Sequence, residues 1–149
     1  LPLYHNVLMT QPARLAKDPG QCEAMVNGLI EAMKFTLLDP AAAQEIFFKE
    51  VPEMAMVTQA KERLRVGLGI WMVQAMYAPA RTNGLGFGDP ADYAKMIDLV
   101  MTNIATDPKD KRPEQDAILT NRFTGKVKLS DAEWAKAEGA VTEFKAVLS

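Results

Sequence analysis

Apolar residues recur along this chain mostly at helical spacing, and the clearest run lies between Asp18 and Leu38. Cys22, Met25, Val26, Leu29, Ile30, Met33 and Leu37 fall on one side of a helical wheel. Asp18 suits the N-cap, because its carboxylate can accept from an orphan amide of the first turn. Pro19 suits the first helical position, where a missing N–H costs nothing. Asp39-Pro40 repeats the signal, so one helix stops and another starts almost without a linker. The second helix is predicted from about Pro40 to Glu50, with Ala42, Ile46 and Phe47 on its apolar face. Pro52 disfavours helical geometry at Val51 and can itself open a third helix, reaching toward Ala78. There Val57, Ala60, Leu64, Leu68, Trp71 and Ala75 share a stripe, while Lys61, Glu62, Arg63 and Arg65 face water. Gly67 and Gly69 lower its helix propensity, which predicts either a close-packed neighbour or a bend.

The pattern changes elsewhere. Leu3, His5, Val7 and Met9 alternate with Tyr4, Asn6, Leu8 and Thr10, which predicts a strand over Leu1 to Thr10. A strand needs a partner for its backbone groups, and only Lys126 to Leu129 offers a weak second candidate. Gln11 to Lys17 reads as a short helix. Arg81 to Gly88, with Gly84, Gly86 and Gly88, reads as a loop. Asp89-Pro90 starts a fourth long helix with Tyr93, Met96, Ile97, Val100, Met101 and Ile104 on its stripe. Residues 106–116 read as a polar surface loop, and Ala117 to Phe123 as short and partly apolar. Ser130 and Glu133 form a capping-box pattern, ahead of Trp134, Ala137, Val141, Phe144 and Leu148. The fold class is therefore mainly α, with about five to six helices and one N-terminal strand.

Composition narrows the function. The 149 residues fit a single helix-rich segment, and 48% hydrophobic content is enough for a real core. A net charge of −2 gives no electrostatic case for nucleic acid. Cys22 is the only cysteine, so no internal disulfide and no cysteine zinc cluster can form. No apolar run reaches the length of a membrane span. The nine Met residues mostly fall on stripes and read first as packing. Trp71 and Trp134 likewise read as core anchors, and Cys22 as a small core residue.

Two stretches invite a site. Asn83 to Gly88 precedes a helix start, where exposed amides attract anions. Its glycine spacing fits neither a dinucleotide fingerprint nor a P-loop, and Asp89 puts a negative charge where an anion would sit. The stretch therefore reads first as a structural turn. His5, the only histidine, has no visible partners for a triad or a metal. With Tyr4 and Asn6 it makes three adjacent hydrogen-bonding side chains, a common lining for a small polar pocket.

The order of features resembles the C-terminal half of ABC-transporter solute-binding proteins of the sulfonate, taurine and thiamine-pyrimidine-precursor type. The resemblance rests on Tyr4 to Met9 as a return strand, then Asp18-Pro19, Asp39-Pro40-Ala-Ala-Ala43 and Pro52-Glu53. Gly84-Leu85-Gly86 before Asp89 and Thr120-Asn121-Arg122-Phe123 complete it. It implies two α/β lobes around a cleft, of which this chain would supply mainly helices while a sheet-rich first half lies elsewhere. It also implies a periplasmic or extracytoplasmic protein that captures a small organic solute and passes it to a membrane permease. Ligand contacts would come from Tyr4, His5 and Asn6, with no cofactor, metal or catalysis. Two other readings stand beside it. One is a stand-alone helical interaction or oligomerisation module. The other is an enzyme of the pyrimidine-synthase kind, for which no cysteine-rich motif or metal cluster is present. A lobe lacking its sheet is expected to self-associate, by strand pairing of Leu1 to Thr10 or by helix exchange between copies.

Overall fold

A computed structural model describes residues 7–105 and 107–145. Among these, nine α-helices and one 3-10 turn account for all regular structure, and there is no strand. Val7 to Thr10, the described part of the expected strand, has no regular structure and is exposed. The weak candidate Lys126 to Leu129 is also not a strand. Without a second strand in the described chain, neither segment can form a ladder, and the carbonyl of Lys128 accepts from the Lys34 ammonium instead (2.9 Å).

The Asp-Pro signals act as read. Helix α1 (Pro12–Lys17) leads into α2 (Pro19–Leu38), whose N-cap Asp18 accepts from the Gln21 amide. Helix α3 (Pro40–Glu50) starts under Asp39, which accepts from Ala42. The expected third helix is broken. Pro52–Met56 winds as a 3-10 turn, the chain turns at Gln59 in the left-handed region, and α4 runs Ala60–Ala75. A separate short helix, α5 (Ala78–Asn83), occupies the start of the stretch expected to be loop, because Pro79 can sit in a first turn. Next comes α6 (Pro90–Asn103) under Asp89, followed by the short α7 (Gln115–Ile118). Ser130 and Glu133 form the capping box of α8 (Asp131–Ala140). The last helix stops at Ala140 and resumes as α9 (Thr142–Lys145).

The core gathers Ile30 and Leu37 of α2, Met72 of α4, Ala80 of α5, and Leu85. Leu129, Trp134, Ala137, Val141 and Phe144 complete it from the end of the chain. The α2 stripe is only half used: Ile30 and Leu37 are buried, whereas Met25 and Leu29 are exposed. Cys22 is half-buried and free, outside that core. Trp134 is a buried anchor as expected, and Trp71 is a half-buried one. The methionines divide between packing and exposure: Met33 and Met76 pack half-buried against the core. Only Met72 is buried, while Met9, Met25, Met54 and Met56 stand in solvent.

The two glycines of α4 differ. A Cβ on Gly69 would lie 2.3 Å from the Phe144 ring, so α9 packs its aromatic directly on that backbone. A Cβ on Gly67 would meet nothing within 4 Å. The close neighbour expected from the sequence is thus a ring at one of the two positions.

Charged staples hold the end of the chain to the body. Lys34 pairs with Glu133 at 2.9 Å across α2 and α8. Arg65 pairs with Glu143 at 2.5 Å and lies over the Phe144 ring, and Arg81 pairs with Glu138 and lies over Trp134. Exposed pairs of this kind contribute little each. Their effect is to fix where α8 and α9 sit.

Candidate functional site

The glycine stretch 84–88 is the most elaborately built feature outside the core. Gly84 (φ +105) follows α5 and lies so close to Gly125 (φ +86) that a Cβ would come 2.9 Å from the Gly125 Cα. Only glycine combines that backbone with that approach. The side chain of Asn121 then closes the joint. Its Oδ1 accepts from the Gly88 amide at 2.8 Å and its Nδ2 donates to the Gly88 carbonyl at 2.8 Å. The Tyr77 hydroxyl donates to the Phe87 carbonyl, and the Thr124 hydroxyl donates to the Asn121 carbonyl. Asp89 accepts from the Ala91 amide at 2.8 Å and so caps α6.

This geometry favours the structural reading of the stretch. The amide that an anion would want at Gly88 is occupied by Asn121, and Asp89 fills the helix start with negative charge. The side-chain amide of Asn121 reproduces a two-way backbone pairing and welds α6 to the segment before α8. Two motifs that are 33 residues apart in sequence thereby become one joint. The glycine stretch stands out in the sequence by its glycine density, whereas residues 120–123 stand out only through the family resemblance, and neither signal places the two in contact.

Beside the joint lies an open cavity of about 400 Å³ lined by Pro90, Glu114, Gln115, Asp116, Leu119 and Asn121. Its charged lining is two carboxylates. A second open cavity, of about 480 Å³, lies at the junction of the 3-10 turn and α4. Tyr4, His5 and Asn6 lie outside the described residues, so the structure does not place the expected pocket lining. Among the described residues no group of three His, Cys, Asp or Glu side chains could hold a metal ion. No helix among them is long and apolar enough to cross a membrane.

Three groups are shifted from their ordinary values by the partners beside them. The Glu133 carboxylate sits below its ordinary value because the Ser130 amide donates to it and the Lys34 ammonium bonds it. Glu62 is lowered by the Arg65 guanidinium, which Glu62 and Glu143 in turn hold in its charged form. Each of these shifts has its cause in an ion pair or a helix cap.

No protein-family model matches the sequence. No curated protein and no solved structure matches it either.

Proposed function

We propose that this chain is the helix-rich C-terminal part of an ABC-importer solute-binding protein of the sulfonate, taurine or thiamine-precursor type. It would work outside the cytoplasmic membrane, capture a small organic solute and deliver it to a permease. The observation that carries this reading is surface. The chain exposes 10164 Å², whereas a compact monomer of 16.4 kDa exposes about 7,500 Å². Crediting the eleven residues outside the described set with fully extended chain area removes at most about 1,750 Å² of that difference. The remaining excess, about 900 Å², exceeds the roughly 800 Å² that one side of a standard interface covers.

Some of that surface is the wrong kind for water. Met25 and Leu29 on α2, Val100 on α6 and Ile104 at its C-cap continue helical stripes yet are exposed. Such stripes suit helices that cover a layer which the described residues do not provide. Ligand contacts are assigned to Tyr4, His5 and Asn6, with no metal or cofactor, and the work is binding rather than catalysis.

Calorimetry of the full-length gene product against sulfonates, taurine and thiamine pyrimidine precursors tests the proposal. Saturable binding to one class supports it, with binding weakened by His5→Ala or Asn6→Ala. Silence across the panel refutes it. The same exposed stripes also suit a second reading, a helical module whose copies cover one another. A stable ligand-free oligomer of the full-length product, seen by light scattering, would favour that module.

A further inference from the structure

The start of α4 departs from the other long helices in two ways, both at Gln59. The other helices of ten residues or more begin under a side-chain cap, provided by Asp18, Asp39, Asp89 and Ser130. Helix α4, sixteen residues long, begins under Gln59, whose side chain makes no capping bond. Gln59 also sits at φ 56, ψ 30, the only non-glycine with positive φ among the described residues. A Cβ disfavours that region, and glutamine has none of the local bonding that lets Asn or Asp visit it. Upstream, Pro52–Met56 winds as a 3-10 turn, with no Gly or second Pro between Pro52 and Ala60. The 3-10 turn is a connector between α3 and α4, so it supplies a short linker beside the left-handed residue and is not itself strained.

The alternative geometry is legible in the same residues. Thr58 stands one position before Gln59. With Gln59 right-handed, α4 would begin one residue earlier and Thr58 would become its N-cap. The Thr58 hydroxyl could then accept from the amide of Lys61, or from that of Ala60 in place of its present bond to the Val57 carbonyl (3.0 Å). Space exists for the change, because the 480 Å³ open cavity lies at this bend, lined by Ala55, Val57, Gln59, Ala60, Lys61 and Glu62. With α3 and α4 held together, the compensating backbone rotations fall on residues 51–58. The Gln44 side-chain amide donates to the Lys61 carbonyl at 2.5 Å and ties the first turn of α4 to α3.

We propose that Thr58-Gln59 is a two-state crank between two fixed helices. One state is the bent form described here. In the other, Gln59 is right-handed and Thr58 caps α4. What moves is the 3-10 turn and the apolar residues around it, Met54, Met56 and Val57, all of them exposed. The crank thus presents an apolar knob in two orientations. The inference does not depend on the transport reading, since it rests on backbone geometry alone.

The test is NMR relaxation dispersion at the amides of residues 57–62, with the HN–Hα coupling of residue 59, on the whole chain. Wild type, Thr58→Ala, Gln59→Gly and Gln59→Val are compared; Thr58 and Gln59 are exposed, so the fold tolerates the changes. Gln59→Gly removes the Cβ conflict and shifts the balance roughly tenfold toward the bent state. Thr58→Ala shifts it the same way by deleting the incoming cap. Gln59→Val shifts it oppositely, and the coupling falls toward the helical value. Exchange in the wild type or Gln59→Val that is quenched by Thr58→Ala and Gln59→Gly supports the crank. Flat profiles in both, or exchange indifferent to those two substitutions, overturn it.

Discussion

Replacing Gly69 with Ala tests the packing of α9 against α4 most directly. By helix propensity alone the change should stabilise, by about 1 kcal/mol, since Gly is a poor interior helix residue. The packing predicts the opposite sign. The new Cβ would lie 2.3 Å from two carbons of the Phe144 ring, where carbon–carbon contact wants about 3.5–4.0 Å. The ring must therefore retreat by more than 1 Å, roughly. Phe144 is buried, and Arg65 lies over its ring with the guanidinium carbon 5.2 Å from the ring centre. Overpacking costs about 1–3 kcal/mol, and expelling the ring would forfeit more. The net expectation is a loss of up to about 2 kcal/mol, or a fall in Tm of up to roughly 8 °C for a chain of this size. Gly67→Ala is the internal control. It sits two residues away in the same helix, meets nothing, and should gain about 0.5–1 kcal/mol. Thermal unfolding followed by circular dichroism reads both. Adding Phe144→Leu to Gly69→Ala should recover part of the loss, which a double-mutant cycle isolates. A Gly69→Ala protein as stable as Gly67→Ala would refute the reasoning.

Three further expectations follow from other contacts. Asn121→Ala removes both bonds to Gly88 and should cost about 2 kcal/mol in denaturant unfolding, while Asn121→Asp should not restore it because a carboxylate cannot donate to the Gly88 carbonyl; unchanged midpoints would sink the joint. Glu133 has a lowered native value against an ordinary 4.5, so its contribution is fully present above about pH 4.5 and is lost as the pH falls through the native value. Glu133→Gln should flatten that acid limb of the stability profile, and an identical limb would contradict the assignment. Asn27, whose buried Oδ1 has no partner, should be replaceable by Ala with a gain of about 1 kcal/mol from removing the unsatisfied acceptor and improving helix propensity; a loss of that size would show a hidden partner.

Local chemistry made much of the helix framework legible. Asp18, Asp39, Asp89 and the Ser130–Glu133 box each begin a helix where the sequence says so, because capping depends on neighbours within one turn. What failed depended on distance. The break at Gln59 has no local breaker, so the sequence reads as continuous helix and the bend is tertiary. The stripe of α2 is wider than the face its neighbours cover, which leaves Met25 and Leu29 exposed. The pairing of Asn121 with Gly88 joins two loops, and no periodicity encodes a loop-to-loop bond. The proposed ligand side chains Tyr4, His5 and Asn6 fall outside the described residues, so the pocket reading stands on the sequence alone.

Half of the core side chains come from Leu129 onward, yet they close over Ile30 and Leu37, about a hundred positions earlier. During synthesis at about 5–20 residues per second, the early helix waits roughly 5–20 s for its cover to leave the ribosome. Closing so long a loop also places late, non-local contacts on the folding path. Removing residues 130–149 would therefore expose the hydrophobic centre rather than trim a tail.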